Sequence, residues 1–181
     1  MNRFKEKYIK TAVPGLTKEF KYSNPMQVPR ITKVVVSSGV GRATSDSKHL
    51  TEVADTLAKV TAQHPVTTVA RKSIASFKLR EGNKIGTTVT LRGQRAEEFL
   101  DLLISVVLPR IRDFRGLNPN AFDPFGNYSL GIADQSIFPQ IPFEEVGATH
   151  GLQVNVVTTA KSAAEGKRLL ELMGFPFRRN V

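Results

Sequence analysis

The chain has 181 residues, 40% of them hydrophobic, and carries 26 Lys and Arg against 16 Asp and Glu, a net charge of +10. This length and apolar fraction suit one core and one domain, and the absence of cysteine excludes a disulfide framework or a thiolate metal site. No apolar run is long enough for a membrane span, and none follows the basic N-terminus as a secretion signal would, so a cytoplasmic protein with no membrane partner is expected.

Residues 3–20, within a basic N-terminal segment 1–22, read as an amphipathic helix broken at Pro14-Gly15, with Phe4, Tyr8, Ile9 and Phe20 apolar. Pro25 and Pro29 bracket an extended lead-in to a strand, Ile31 to Ser37. Its Val34-Val35-Val36 run predicts burial on both faces. Gly39 and Gly41 end that strand. A helix follows from about Ser47 to Thr61, with Leu50, Val53, Ala54, Leu57, Ala58 and Val60 on one side and Pro65 as its stop.

Val66 to Ala70 alternates as a strand. Residues 71–86 read as a long loop or hairpin arm punctuated by Gly82 and Gly86, mobile without a partner because charges and glycines offer little apolar burial. Thr87 to Arg92 resumes as a β-branched strand. Glu97 to Leu108 is a helix with Phe99, Leu102, Leu103, Val106 and Val107 on a broad apolar face, ended by Pro109. Residues 113–126 are loop. Short strands are expected at Tyr128–Ile132 and Leu152–Thr159. A capping box, Ser162 with Glu165, opens the last helix, and Gly174 with Pro176 closes it. The pattern predicts an α+β fold: a single domain with a curved, mainly antiparallel sheet, helices on one face and a long basic loop.

Charge is polarised along this frame. Between residues 71 and 95 lie Arg71, Lys72, Lys78, Arg80, Lys84, Arg92 and Arg95 against the single acid Glu81, with Ser73, Ser76, Thr87, Thr88 and Thr90 interleaved. Residues 1–33 form a second basic block, whereas the chain beyond Ala96 is slightly acidic. Cations and hydroxyls on a strand–loop–strand frame suit a phosphate backbone. Phe77 is the only aromatic in the block, so structured RNA read by shape, phosphates and 2′-hydroxyls fits better than base stacking on a sheet.

Catalysis is not indicated. Gly39-Val-Gly41 is half of a dinucleotide fingerprint, but the third glycine position is Thr44, and a tight turn that excludes side chains is the simpler reading. His49, His64 and His150 lack metal-ligand spacing. Glu97-Glu98 and Glu144-Glu145 are adjacent pairs, and adjacent helical carboxylates point about 100° apart. No enzyme, metal or cofactor is expected.

Several strings occur in collinear order: Asn24-Pro-Met-Gln-Val-Pro-Arg30, Val34-Val-Val-Ser-Ser-Gly-Val-Gly41, Ala70-Arg-Lys-Ser-Ile-Ala75, Phe77-Lys-Leu-Arg-Glu-Gly82 and Val89-Thr-Leu-Arg-Gly93. Leu108-Pro-Arg-Ile-Arg-Asp-Phe-Arg-Gly-Leu117, Gly126-Asn-Tyr-Ser-Leu-Gly-Ile132, Thr158-Thr-Ala-Lys161 and Phe175-Pro-Phe177 complete the series. From about residue 20 onward the chain thereby resembles the 5S rRNA-binding family, bacterial large-subunit ribosomal protein number five.

The resemblance implies an architectural protein of the central protuberance that binds 5S rRNA and helps attach it to the large subunit. Its implied partners are 5S rRNA, large-subunit rRNA, neighbouring 5S-associated large-subunit proteins, the peptidyl-site tRNA and small-subunit protein thirteen in an intersubunit bridge. The implied rRNA-binding positions are Arg30, Lys33, Ser37, Gln63, Thr90 and Arg92. The implied tRNA-contacting loop carries Arg71, Lys72, Lys78, Arg80 and Lys84. The chain departs from the family pattern in five places. Ser37 stands for a usual Asn, Ala62 for a usual Gly, Ser76 for a common Gly, Asn83-Lys84 for an aromatic-Pro pair, and Pro124-Phe125 for Gly-Arg.

Overall fold

The computed structural model describes residues 2–41, 48–142 and 148–178. Thr44, Ser47 and the Glu144-Glu145 pair lie outside the described residues. The architecture is α+β, as expected. Among the described residues the strands are β1 (Ile31–Gly39), β2 (Val66–Val69), β3 (Lys84–Leu91), β4 (Tyr128–Ile132) and β5 (Leu152–Thr158), in the sheet order β2-β3-β1-β5-β4. The sheet is antiparallel. The longer helices among the described residues are α1 (residues 3–20), α2 (Lys48–Thr61), α3 (residues 94–110) and α4 (Ala163–Met173). No described helix is long and apolar enough to cross a membrane.

The chain divides into two compact units. The first comprises Met1–Val34, Arg92–Leu130 and Asn155–Val181, and the second Val35–Leu91 and Gly131–Val154.

In the first unit, α1 is not broken at Pro14-Gly15. It runs through as Arg3–Lys7, a π turn at Tyr8–Ala12, and Val13–Phe20. The Val13 N–H bonds to the Tyr8 carbonyl, five residues back. This wider turn sits immediately before Pro14, where an ordinary helix would suffer a missing N–H and a ring clash with the preceding turn. The same solution recurs in α3. There Leu103–Val107 is a π turn, Leu108 N–H bonds to Leu103 O, and the helix continues past Pro109 to Arg110.

The π turns also move the apolar faces. In α1 the buried residues are Phe4, Ala12 and Leu16, while Ile9 is exposed. In α3 they are Ala96, Phe99, Leu100, Leu103, Val107 and Leu108, and Val106 is exposed. One extra residue per turn rotates everything beyond it, so the plain helical period misassigns Ile9 and Val106.

Helix α4 follows the sequence reading closely. Ser162 Oγ accepts from Glu165 N–H at 3.3 Å, and the Glu165 carboxylate accepts from Lys161 N–H at 2.9 Å. Gly174, at φ +94°, ends the helix. Leu169, Leu170 and Met173 enter the core. Arg168 joins α4 to α1 by donating to Glu19 at 2.6 Å.

The loop before β4 is tied by Asp123. Its carboxylate accepts from the backbone N–H of Phe125 and Asn127 and from the Asn127 side chain. Burial opposes the Asp123 charge, but these hydrogen bonds prevail and hold the carboxyl below the usual aspartate range. Gly126 in this loop and Gly166 in α4 meet backbone to backbone. A Cβ on Gly166 would lie 2.7 Å from Gly126 Cα and closer still to its carbonyl oxygen.

In the second unit, α2 buries Leu50, Val53, Leu57 and Val60 as expected. It ends at Thr61, before Pro65, because Ala62 adopts the left-handed conformation at φ +50°. Burial alternates along much of β1 and β3, while β2 is exposed throughout. In β3, Thr87, Val89 and Leu91 are buried and Thr90 is exposed. In β1, Val36 and Ser38 are buried while Val35 is only half-buried, so the valine run has one inward side rather than two. β1 also continues through Gly39, and Val40 N–H bonds to Ile85 O at 2.8 Å. A Cβ on Gly39 or Gly41 would meet nothing within 4 Å. Among the described residues neither glycine is crowded, so the expected exclusion of side chains is not seen there.

Candidate nucleic-acid interface

The predicted rRNA-binding positions fall on the strands and their immediate flanks. Ser37, Gln63 and Thr90 lie in the second unit, and Arg30, Lys33 and Arg92 in the first. Gln63 and Thr90, 27 residues apart, are brought together: Gln63 Nε2 donates to Thr90 O at 3.1 Å. The join depends on the helix end. Thr61 Oγ1 bonds to Leu57 O at 2.7 Å and lies 3.2 Å from Gln63 O, and the left-handed Ala62 turns the chain so that Gln63 reaches β3. Anchored through one N–H, the Gln63 amide retains a carbonyl oxygen and a second N–H.

Ser37 is half-buried, and its neighbour Ser38 cannot share its role. Ser38 is buried and donates its hydroxyl to Gly151 O at 2.7 Å. Strand alternation sends the two hydroxyls to opposite sides.

In the first unit, Arg30 and Arg92 are exposed and Lys33 is half-buried, and none has an ion-pair partner among the described residues. Arg30 is fixed by its backbone. Its N–H bonds to Thr159 Oγ1 at 3.0 Å, and its carbonyl accepts from Thr159 N–H at 2.9 Å. It borders a groove of about 530 Å³ that Tyr8, Ile31 and Leu100 also line. The Tyr8 hydroxyl donates to Pro29 O at 3.2 Å. Burial pushes that phenol up, partly offset by the Arg30 charge.

Residues 70–84 form a hairpin arm between β2 and β3. Ala70 and Asn83 close its base through Ala70 N–H to Asn83 O at 2.8 Å. Farther out, Ile74 and Leu79 form an antiparallel bridge. A 3-10 turn over Ala75–Phe77 and the left-handed Lys78, at φ +52°, make the tip. Inside the arm, Glu81 N–H donates to the Ser73 hydroxyl at 2.9 Å. Arg71, Lys72, Lys78, Arg80 and Lys84 are all exposed, and none is ion-paired among the described residues. Lys84 doubles as the first residue of β3, opposite Val69. Five uncompensated cations on one projection make a phosphate-seeking surface.

The sequence reading missed other polar residues on the outward side of the strands. Thr68 is exposed on edge strand β2, Thr88 is half-buried on β3, and Gln153 is exposed between buried Leu152 and Val154 on β5. Alternation along β5, and along β3 from Thr87 on, was the signal for Gln153 and Thr88, whereas β2 is exposed at every position and offers none. His49 pairs with Glu52 at 3.3 Å, and the His150 ring faces Ala148 O at 3.3 Å. Among the described residues no group of metal-holding side chains occurs.

Outward polar strand positions and a cationic arm without ion pairs among the described residues suit a nucleic-acid-binding scaffold. Comparison with known proteins specifies which. Residues 24–80 match the family described as ribosomal protein L5, and residues 84–177 match the C-terminus of the same ribosomal family. The large ribosomal subunit protein uL5 of Leuconostoc citreum is 52% identical over 178 residues, covering 98% of this chain and 99% of that one. Its counterpart in Citrifermentans bemidjiense is 53% identical over 178 residues, with the same coverage of each chain. That of Streptococcus sanguinis is 51% identical, again over 98% and 99%. The chain therefore belongs to the ribosomal protein L5 family, whose members are structural ribosomal proteins and not enzymes.

Proposed function

We propose that this protein is a cytoplasmic, structural constituent of the large ribosomal subunit that binds 5S rRNA and helps attach it in the central protuberance. Residues 1–181 act as one RNA-binding domain, with 1–22 as a basic helical lead-in and 71–86 as the arm. Ser37, Gln63 and Thr90 supply short polar contacts to sugars and base edges, and Arg30, Lys33 and Arg92 supply phosphate contacts. The arm, through Arg71, Lys72, Lys78, Arg80 and Lys84, meets the peptidyl-site tRNA with little sequence preference. Further contacts run to large-subunit rRNA, to neighbouring 5S-associated proteins and to small-subunit protein thirteen in the intersubunit bridge.

The observation that carries the 5S reading is the Gln63–Thr90 junction, where one hydrogen bond of 3.1 Å holds two outward polar residues from separate segments. The test is a salt titration of binding to 5S rRNA beside an unrelated structured RNA of equal length. Preference for 5S that survives rising salt is expected, because the nonspecific ionic part fades with counterion competition. Equal affinities collapsing together would leave a general basic RNA binder.

A further inference from the structure

Electrostatics accounts for the arm's cations but not for Phe77. Its side chain is 71% exposed at the tip and makes no ring contact among the described residues. Single exposed apolar residues are ordinary on protein surfaces. This one is presented by built structure. The Ile74–Leu79 bridge closes with two hydrogen bonds, Ile74 N–H to Leu79 O at 2.9 Å and Leu79 N–H to Ile74 O at 3.1 Å. Lys78 N–H returns to Ala75 O at 3.0 Å, and Lys78 sits in the left-handed region that disfavours side chains. The outcome is an aromatic ring held out in water, next to Lys78 and three residues from Arg80.

We propose that Phe77 stacks on an exposed nucleobase face of the tRNA whose phosphates the arm's cations engage. The inference rests on the tRNA reading given above and extends it from charge to bases. A cationic arm repels basic protein surfaces and attracts phosphate, so the apolar face that accompanies it in RNA is the base. Stacking also suits a site that must accept every tRNA, since every base offers a π-face and no particular hydrogen-bond pattern is demanded. Phe stiffens little on binding because it has only two side-chain torsions.

The chain contains no Trp, so Phe77→Trp creates a single reporter in the full-length protein. Titration with deacylated tRNA should quench its emission, with affinity close to that of the unchanged protein. Phe77→Ala and Phe77→Leu should each weaken tRNA binding about 5- to 150-fold, the scale of one base stack, with unchanged unfolding midpoints. Wild-type affinity in Phe77→Ala, or in Phe77→Leu, would overturn the stacking proposal. If Lys78→Ala with Arg80→Ala still weakens binding in that case, the tRNA reading of the arm survives alone. If that double variant also binds tRNA normally, the reading itself fails and the inference goes with it. Quenching by 5S rRNA but not by tRNA would likewise overturn the assignment, placing the ring on ribosomal RNA.

Discussion

Ala62 occupies a left-handed position, φ +50°, at the end of α2. For an L-residue that conformation costs about 1–2 kcal/mol. Glycine removes the cost but adds about 0.4–1 kcal/mol of freedom to the unfolded chain. Ala62 is exposed, so its methyl contributes almost no burial. The difference predicts that Ala62→Gly stabilises the protein by about 0.8 kcal/mol, which for a chain of this size raises Tm by about 2–3 °C. Ala58→Gly, four residues earlier inside the helix, is the matched control and should destabilise by about 1 kcal/mol. Urea unfolding with an unchanged slope measures both. The reasoning is refuted if the two glycines shift the midpoint in the same direction. Because glycine adopts the same backbone angles, Gln63 should still reach Thr90 O, and 5S affinity should hold within about twofold, a few tenths of a kcal/mol.

Arg92→Ala should weaken 5S rRNA binding by about 1.5–3 kcal/mol, the scale of a charge-assisted hydrogen bond, and unchanged affinity would remove Arg92 from the contact. Lys78→Ala with Arg80→Ala should leave 5S binding nearly intact while tRNA leaves the ribosome faster, and equal loss of both would merge the two proposed sites. Gly166→Ala drives a methyl into Gly126 and should destabilise by about 1–3 kcal/mol in urea titrations. Asp123 has a depressed pKa, so its stabilisation is complete above the ordinary aspartate value of about 3.9 and is lost as pH falls through the lower folded value. Acid titration of Asp123→Asn should accordingly show a weaker fall in stability over that acidic window than the unchanged protein does.

Where local chemistry decides structure, the sequence was a sufficient guide. The capping box at Ser162 and Glu165, the glycine stop at Gly174 and β4 all stand where residue type alone puts them. Pro14 predicts a break, yet α1 continues to Phe20 because a π turn immediately before the proline removes the clash, whereas α3 ends at Arg110, one residue past Pro109 and close to the expected stop. Neither π turn contains a glycine or proline that would announce it: Tyr8–Ala12 reads Tyr-Ile-Lys-Thr-Ala and Leu103–Val107 reads Leu-Ile-Ser-Val-Val. For Pro14 the reason is burial beyond the proline: Leu16 is fully buried, so ending that helix early would expose core, whereas Pro109 and Arg110 are exposed and α3 stops there. At Pro14 tertiary packing outweighed a local penalty, and the apolar phase moved with it.

The candidate interface divides along the same line. The arm's cations are legible because charge needs no partner inside the protein, and exposure is what such a composition produces. Residues that must be placed by the fold are not. Nothing in the neighbourhood of Gln63 distinguishes it from any polar residue after a helix. Its meeting with Thr90 comes from the left-handed turn at Ala62 and from the position of β3, neither of which periodicity encodes. Ser37 and Ser38 show the converse, since adjacent identical residues receive opposite environments and only Ser37 faces outward. Composition therefore identifies the phosphate-seeking part of such a surface, while the part that reads sugar and base edges appears only when strand sides and helix ends are known. That division also predicts how substitutions sort: exchanging one arm cation for another should be tolerated, whereas moving Gln63 by one residue should not.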